Sequence, residues 1–300
     1  MKIKKQVTMK GMNRWYRYGK ALLDEIANSR PRPGEAYIWF MGQHGFIINL
    51  GGTVFYIDVI LNDLPGADNQ SLRVYPPPFA PDEIQRVDYV LCTHNHLDHL
   101  NLETLLPLAR ANPHAQLVIP APCKSLLTGA GITEGRILAA RAGENLVLGG
   151  GITLAPVPAV HTRIVQDEGE KDENGDYTCL GFILKGEGLL IYHSGDTWVT
   201  PSLIRALKAW GPVDIAMLPI NGTDWERTEE NCIGNMSPLD AVKLARTLPI
   251  DLVFPAHYDL IAHNSENPAR FADLMYTLCP AKRFHVLAPG ECFVQKSGQP

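Results

Sequence analysis

Short apolar runs alternate with turn residues in the first third of the chain. The runs at 37–41, 46–50 and 54–60 are rich in β-branched and aromatic residues, and glycines at 42, 45, 51 and 52 separate them. Such runs, bounded by turn residues, are typical of short strands. The pattern therefore predicts a meander of three strands, followed by a fourth strand at 86–93.

Similar runs continue along the chain and predict six more strands, at 116–120, 152–157, 179–185, 188–193, 214–218 and 252–255. The strands fall into two blocks, and helical patterns follow each block. Because one face of a sheet must be covered by another layer, this order predicts two α/β halves that pack sheet against sheet, with the helices outside.

The N-terminal region has helical rather than strand-like spacing. Apolar residues over 13–28 recur with the period of a helix, and Pro31 and Pro33 then prevent its continuation. This pattern predicts a helical arm at 1–35 and a main domain at 36–300.

Two later helices have clear start signals. Asn101 can cap a helix that runs to 111, although Pro107 inside it costs about 3 kcal/mol unless the helix bends. Ser237 precedes a proline, and Asp240 follows three residues after it, as at the start of many helices. A further helix is predicted at 268–279.

Composition limits the class of protein. The chain has 300 residues, 45% of them apolar, and a formal net charge of −5. This balance lacks the basic surface that nucleic-acid binding requires. No apolar run approaches the roughly 18 residues of a membrane span, and the N-terminus lacks the apolar core of a signal peptide. We expect a soluble, cytoplasmic protein whose six scattered cysteines are reduced thiols.

The segment 93–99 carries the most informative chemistry. It places His94, His96, Asp98 and His99 within six positions, directly after a predicted strand. Imidazole nitrogens and carboxylate oxygens suit zinc, manganese and iron, and the absence of a thiolate disfavours a purely structural zinc site. The segment therefore predicts a metal-binding loop with hydrolytic chemistry.

Three later residues of ligand type also follow predicted strands. His161, Asp196 and His257 each stand where an apolar run meets a loop. A rigid scaffold directs side chains into a common cleft from such positions. We therefore expect these residues to complete the metal site.

The order of these motifs resembles the metallo-β-lactamase superfamily over about 36–292. The segments 42–46 (GQHGF), 192–196 (YHSGD) and 213–216 (VDIA) are more narrowly similar to the branch of L-ascorbate-6-phosphate lactonase. The resemblance implies an α/β fold, a four-layer αββα sandwich of the metallo-β-lactamase type, with a two-metal site on its edge.

The resemblance also implies roles for individual residues. It assigns His94, His96 and His161 to a first divalent ion, Asp98, His99 and His257 to a second, and Asp196 to a bridge between them. The ions would be zinc or manganese, with iron as a further option, and they would activate a bridging hydroxide as the nucleophile. Asp98 and Asp196 would be the catalytic residues, with Asp98 as the proton shuttle. Asp58 would orient a metal-bound imidazole through its other ring nitrogen.

The predicted activity is hydrolysis of a small-molecule ester, and a phosphorylated sugar lactone is the leading substrate. A phosphodiesterase and a non-catalytic metal-binding protein remain alternatives. A diiron oxygen-dependent enzyme is disfavoured by His96, since that branch has a carboxylate at the second histidine. The expected partner is a small molecule rather than nucleic acid or a membrane, and the oligomeric state stays open.

Several residues near the proposed ligands have two interpretations. Gln43 and His44 lie in a glycine-flanked turn that either borders the cleft or only shapes the chain. Arg163 either holds an anionic group of the substrate or is solvated. The acidic stretch 166–176 is predicted to be a hairpin loop, with a lid as the alternative, and 221–235 is expected to line the substrate mouth.

His193 lies three residues before the proposed ligand Asp196. It is interpreted as a packed, hydrogen-bonded histidine rather than a metal ligand.

Overall fold

A computed structural model describes residues 13–66 and 71–298. It contains two seven-stranded sheets. Numbered along the chain, the strands of the first sheet are β1 (Glu35–Phe40), β2 (Phe46–Leu50), β3 (Thr53–Ile57), β4 (Tyr89–Leu91), β5 (Gln116–Pro120), β6 (Ile137–Ala140) and β14 (Cys292–Lys296). Their order across the sheet is β14-β1-β2-β3-β4-β5-β6.

The second sheet takes the strands between these. They are β7 (Leu146–Val147), β8 (Thr153–Pro158), β9 (Leu180–Gly186), β10 (Leu189–His193), β11 (Val213–Pro219), β12 (Ile250–Ala256) and β13 (Arg283–Phe284). Their order is β13-β12-β11-β10-β9-β8-β7. The C-terminal strand β14 pairs antiparallel with β1, so the end of the chain returns to the first sheet.

Seven α-helices occur in the described residues. They are α1 (Gly19–Asn28), α2 (Leu102–Ala111), α3 (Lys124–Gly129), α4 (Pro201–Trp210), α5 (Trp225–Glu229), α6 (Pro238–Thr247) and α7 (Pro268–Leu278). Across residues 13–66 and 71–298, none of them has the length and apolar character needed to cross a bilayer.

Alternation along β2 shows how the layers are arranged. Phe46 and Ile48 join a buried cluster shared with the second sheet, where the ring of Phe46 stacks on Phe254 at 6.4 Å. Ile47 points the other way, into a cluster that contains Leu22 of α1. Because successive side chains of a strand face opposite sides, one face of this sheet packs on the other sheet and one on helices. The predicted αββα sandwich is confirmed.

Strand direction brings the ends of several strands to one edge. β3, β4 and β5 are mutually parallel, as are β10, β11 and β12. β8 and β10 run in the same direction, because each is antiparallel to β9. The backbone amide of Leu180 donates to the carbonyl of Thr93 at 2.9 Å, which ties the end of β4 to the second sheet.

Several elements begin and end at the residues that local sequence signals predict. The helix after Asn101 spans Leu102–Ala111, with the Asn101 side chain accepting from the amide of Glu103, and it continues through Pro107. Ser237 and Asp240 form the expected capping box at the start of α6. The strand at 116–120 is confirmed without change.

Three predicted elements are clearly shorter than expected. The third strand, predicted over 54–60, ends at Ile57, because Asp58 leaves the extended conformation with a left-handed φ of 49°. The first helix begins at Gly19 rather than at 13, because the chain before it bonds to distant loops, with the amide of Tyr16 donating to the carbonyl of Pro289. The fourth strand covers only Tyr89–Leu91, since the side chain of Asp88 accepts from the amide of Val54 at the start of the pairing. The predicted boundary between an arm at 1–35 and a domain at 36–300 stays a prediction, and residues 1–12 lie outside the described part.

Candidate metal centre

The loop that follows β4 gathers the first set of imidazoles. The backbone amide of His99 donates to the carbonyl of His96 at 3.0 Å and so closes a tight turn. Nε2 of His94 then lies 2.9 Å from Nδ1 of His96. His94 and His99 are buried, Asp98 is partly buried, and His96 is exposed at the surface of the loop. The loop therefore presents ligand atoms both inside the protein and towards solvent.

Three residues from the second sheet reach the same place. Nε2 of His161, which follows β8, lies 3.3 Å from Nδ1 of His96 and 3.8 Å from Oδ2 of Asp196. Nε2 of His257, directly after β12, lies 3.2 Å from Oδ2 of Asp196 and 3.4 Å from Oδ2 of Asp98. Residues far apart in the chain thus converge at the edge of the sandwich.

The potential ligand atoms form three overlapping groups. Within each group the ligand atoms lie within 4.8 Å of one another. The first group is His94, His96 and His161. The second is His94, His99 and Asp196, and the third is Asp98, His99 and His257. All seven residues predicted as ligands are brought together.

Asp58 lies behind the cluster, at the end of β3. Its Oδ2 is 2.7 Å from Nδ1 of His99, and the same carboxylate accepts from the backbone amide and the hydroxyl of Thr93 at 2.8 and 2.6 Å. Both side chains of the Asp58–His99 pair are fully buried. A carboxylate held in this way fixes the orientation of the imidazole and favours one tautomer.

The donor set fits a cation. Nε2 of His99 is buried without a hydrogen-bond partner, yet it faces Oδ1 of Asp196 at 3.5 Å and Oδ2 of Asp98 at 3.6 Å. Burial by itself lowers the pKa of His99, but the carboxylates of Asp196, Asp98 and Asp58 outweigh it and raise the pKa well above its ordinary value, so the site favours a positive charge between Nε2 and these carboxylates. A divalent metal ion provides that charge and accepts all three donors.

Electrostatics divides the histidines into two kinds. Burial by itself lowers the pKa of His257, but the carboxylates of Asp196 and Asp98 outweigh it and raise the pKa to about 9. Burial lowers the pKa of His161 to about 4, against the opposing effect of Asp196. His161 is therefore neutral and can act as a ligand without losing a proton. His257 carries a proton, which it must release when it binds a metal ion.

Gln43 contacts the centre more closely than the sequence indicated. Its Nε2 donates to Oδ2 of Asp98 at 2.8 Å and lies 3.2 Å from Nε2 of His257, and its Oε1 is buried without a partner. The backbone at Gln43 is left-handed, with φ 54°, and the amide of His257 donates to its carbonyl at 2.5 Å. The turn therefore borders the candidate ligands, although Gln43 is buried and is not among the residues that line the cavity.

His44 also borders the centre. Its Nδ1 lies 3.3 Å from Oδ1 of Asp196, and its carbonyl is 2.8 Å from Nε2 of His193. His193 is buried behind it and belongs to none of the three ligand groups. Burial lowers the pKa of His193 to about 3, so its ring is neutral and hydrogen-bonded, as expected.

A cavity of about 510 Å³ opens beside the cluster, and His96, Asp98, His161 and Asp196 line it. Residues 230–233 form part of its wall, which confirms that the 221–235 loop lines the mouth. No residue of 166–176 lines the cavity in the described chain. That stretch instead forms a turn closed by Lys171 and Tyr177, in agreement with the hairpin interpretation.

Arg163 is exposed but not free. Its guanidinium donates to the carbonyl of Thr228 at 2.8 Å and to Oδ1 of Asn231 at 3.3 Å. It therefore ties the segment after His161 to the loop that lines the cavity.

Comparison with known proteins agrees with this geometry. A family model described as a beta-lactamase superfamily domain matches residues 58–258, which is more than half of the chain and includes Asp58 and all seven candidate ligands. The chain belongs to the metallo-β-lactamase superfamily. Gln43 and His44 lie before the matched region.

Two relatives within the metallo-β-lactamase superfamily match nearly their whole length. A metal-dependent hydrolase of Rubrobacter xylanophilus is 30% identical over 263 residues, covering 86% of this chain and 96% of the relative. A metal-dependent hydrolase of Aeropyrum pernix is 26% identical over 270 residues, covering 86% and 97%.

A solved structure shares the fold. The isothiocyanate hydrolase from Delia radicum gut bacteria superimposes with a TM-score of 0.68 at 16% identity, covering 87% of this chain and 99% of that one. The metallo-β-lactamase sandwich is thus retained although most of the sequence differs.

Proposed function

We propose that this chain is a metal-dependent hydrolase that opens a small-molecule ester or lactone at a site for two divalent ions. The observation that carries the proposal is the position of Asp196. Its Oδ1 lies 3.5 Å from Nε2 of His99, while its Oδ2 lies 3.2 Å from Nε2 of His257 and 3.8 Å from Nε2 of His161. Asp196 therefore lies within 4 Å of imidazoles from both proposed ligand sets, His161 of one and His99 and His257 of the other, as a residue shared between two ions would.

The proposed ligands divide as the resemblance implies. One ion would be held by His94, His96 and His161, the other by Asp98, His99 and His257, with Asp196 shared. Ions bound there would polarise the ester carbonyl and lower the pKa of a water towards neutrality. Zinc and manganese are the proposed metals and iron a further one, because nitrogen and oxygen ligands suit all three.

Asp98 is the proposed proton carrier. Its carboxylate reaches the cavity, and Gln43 holds its Oδ2 by a hydrogen bond of 2.8 Å. In hydrolysis, the oxygen of one water bonds to the carbonyl carbon, the bond from that carbon to the alcohol oxygen breaks, and the alcohol oxygen takes a proton. Asp98 is placed to accept the proton from water and return it to the leaving oxygen.

The names of the relatives support hydrolysis, since both are metal-dependent hydrolases that align over nearly their full length. The finer predictions, a phosphorylated sugar lactone and membership of the L-ascorbate-6-phosphate lactonase branch, stay predictions. Among the described residues that line the cavity there is no serine, and Cys232 is the one thiol. Burial raises the pKa of that thiol above its ordinary value, which keeps it protonated and a weak nucleophile, in agreement with catalysis by an activated water.

Metal analysis and a substrate panel test the proposal. We expect about two ions per chain, and turnover of simple lactones that falls by orders of magnitude in Asp196→Asn and His94→Ala. His114→Ala is the matched control, since His114 is exposed and belongs to none of the ligand groups. Full turnover in the two site variants would exclude the mechanism. Hydrolysis of phosphodiesters but not of lactones would replace the proposed reaction with the alternative one.

A further inference from the structure

The wall of the cavity beyond the candidate ligands is largely apolar. Its apolar side chains come from four separate segments and are Leu64, Pro65, Leu72, Leu97, Ile233 and Ile261. Leu97 is 68% exposed although it stands between two candidate ligands in sequence. A volume of about 510 Å³ is that of a pocket for a small molecule, and such pockets bind the unreactive part of a ligand by burying apolar surface.

Among the described residues, the one basic side chain in the wall of the cavity beyond the candidate ligands is the imidazole of His263. In the described parts of the chain, no lysine or arginine is among the residues that line the cavity, and Glu230 adds a carboxylate at its exposed rim. Recognition of a phosphate or carboxylate normally uses arginine or lysine donors. An anionic substituent bound beyond the candidate ligands would face Glu230, with no ammonium or guanidinium group in the wall to pair with it.

Two arginines that contact the 221–235 loop are already engaged. Arg227 donates from Nε to Oδ2 of Asp224 at 2.7 Å and from Nη1 to Oδ1 of Asn264 at 3.2 Å. Its side chain is 14% exposed, so these bonds hold the guanidinium inside the loop. Arg163 is bound to Thr228 and Asn231, as described above. Redirecting either arginine to a substrate anion would break contacts that shape the cavity.

We infer that the substrate is an uncharged molecule whose unreactive part is apolar, such as an alkyl-substituted lactone, rather than a phosphorylated sugar. This inference rests on the proposed hydrolase function for the reacting group, but the preference itself concerns only binding in the cavity. The apolar wall favours the alkyl chain, and Glu230 disfavours an anionic end.

Binding and turnover are measured separately on the full chain loaded with zinc. Calorimetric titration uses γ-lactams, which mimic the lactone ring without its ready hydrolysis, in a neutral alkyl series and in a series of equal length that ends in a phosphate. We expect affinity for the neutral series to rise about three- to fourfold per methylene until the cavity is filled. The phosphorylated analogue should bind at least about tenfold more weakly than its neutral counterpart.

Variants identify the residues responsible. Glu230→Lys should strengthen binding of the phosphorylated lactam about three- to tenfold and leave the neutral series unchanged. Glu229→Lys is the matched control, because this neighbouring carboxylate is exposed and does not line the cavity. Ile233→Thr should reduce the gain in lactam affinity per methylene. Ile164→Thr should not, because Ile164 is 79% exposed and lies outside the cavity.

The outcomes distinguish this inference from the proposed function. Chain-length-dependent binding of neutral lactams supports it, even when no lactone is hydrolysed and the hydrolase proposal fails. Lactone turnover with no dependence on chain length, or tighter binding of the phosphorylated series to the unmodified chain, overturns the inference and leaves the hydrolase proposal intact.

Discussion

Oδ2 of Asp58 lies 2.7 Å from Nδ1 of His99, although 41 residues separate the two in sequence. Asp58 occupies the left-handed region, with φ 49°, immediately after β3. Apart from glycine, asparagine and aspartate adopt this conformation more often than other residues, as single residues whose side chains form local hydrogen bonds. The backbone amide of Asp58 donates to the carbonyl of Leu91 at 3.0 Å, so pairing with the end of β4 holds the carboxylate against the imidazole.

Asp58→Asn should weaken metal binding about 10- to 100-fold, because a neutral amide no longer fixes the tautomer of His99 or increases its basicity. Competition with a chromophoric chelator measures the affinity. Asp214→Asn is the control, since Oδ2 of Asp214 also accepts a backbone amide, that of Leu190 at 2.7 Å, but at the opposite end of the strands. Equal loss of affinity in the two variants would show that the effect is one of general stability.

Two substitutions of Gln43 separate its amide from its backbone. Glycine at position 43 adopts the φ of 54° without strain, whereas alanine does not. Both Gln43→Gly and Gln43→Ala remove the contacts to Asp98 and His257. We expect kcat/KM to fall about 10- to 100-fold in both. The glycine variant should be about 1 kcal/mol more stable than the alanine variant in urea unfolding. Retained activity in Gln43→Gly alone would show that only the backbone conformation matters.

Removal of metal should lower the melting temperature. Metal at a hundredfold excess over its dissociation constant stabilises the folded state by about 2.7 kcal/mol. For a chain of this size that corresponds to a shift of about 4 °C between chelated and reloaded protein in calorimetry. His94→Ala should show a smaller shift. An unchanged melting temperature in the unmodified chain, combined with measured metal loss, would contradict binding between the two sheets.

Ser237→Ala should cost about 1 kcal/mol of unfolding free energy without changing activity. The Ser237 hydroxyl accepts from the amide of Asp240 at 3.2 Å and caps α6, a helix that carries none of the candidate ligands. Thr247→Ala at the exposed other end of the helix should cost less. Urea unfolding monitored by circular dichroism gives both values, and a loss of turnover in Ser237→Ala would link α6 to the site.

Elements with local signals were predictable, and elements that depend on distant partners were not. The capping residues Asn101 and Ser237 predicted the first residues of α2 and α6 correctly. The strand β14 was missed because its pairing partner, β1, lies more than 250 residues away and its own exposure pattern is mixed. α4 was not predicted either: Thr200 and Pro201 provide a cap and a proline at the first helical position, but no carboxylate follows three residues after the cap as it does in α6.

The candidate ligands were predictable because their residue types are rare together and each follows a strand. The supporting residues were harder to assign. The contact from Gln43 to Asp98 spans 55 residues, and that to His257 spans 214. An amide in a glycine-flanked turn has no chemical signature of its own, so only the packing of the two sheets shows what it contacts. The pattern GQHGF was its sole sequence signal.

Each of the three ligand groups combines residues before position 100 with residues after position 160. Neither half of the chain holds a complete group, and the 141–145 connection between β6 and β7 joins the halves covalently. A cation bound at the edge would therefore act as a second, reversible cross-link between them. Two fragments produced by cleavage in that connection should reassociate more tightly when metal is supplied. Metal binding and association of the two fragments would then be one coupled equilibrium.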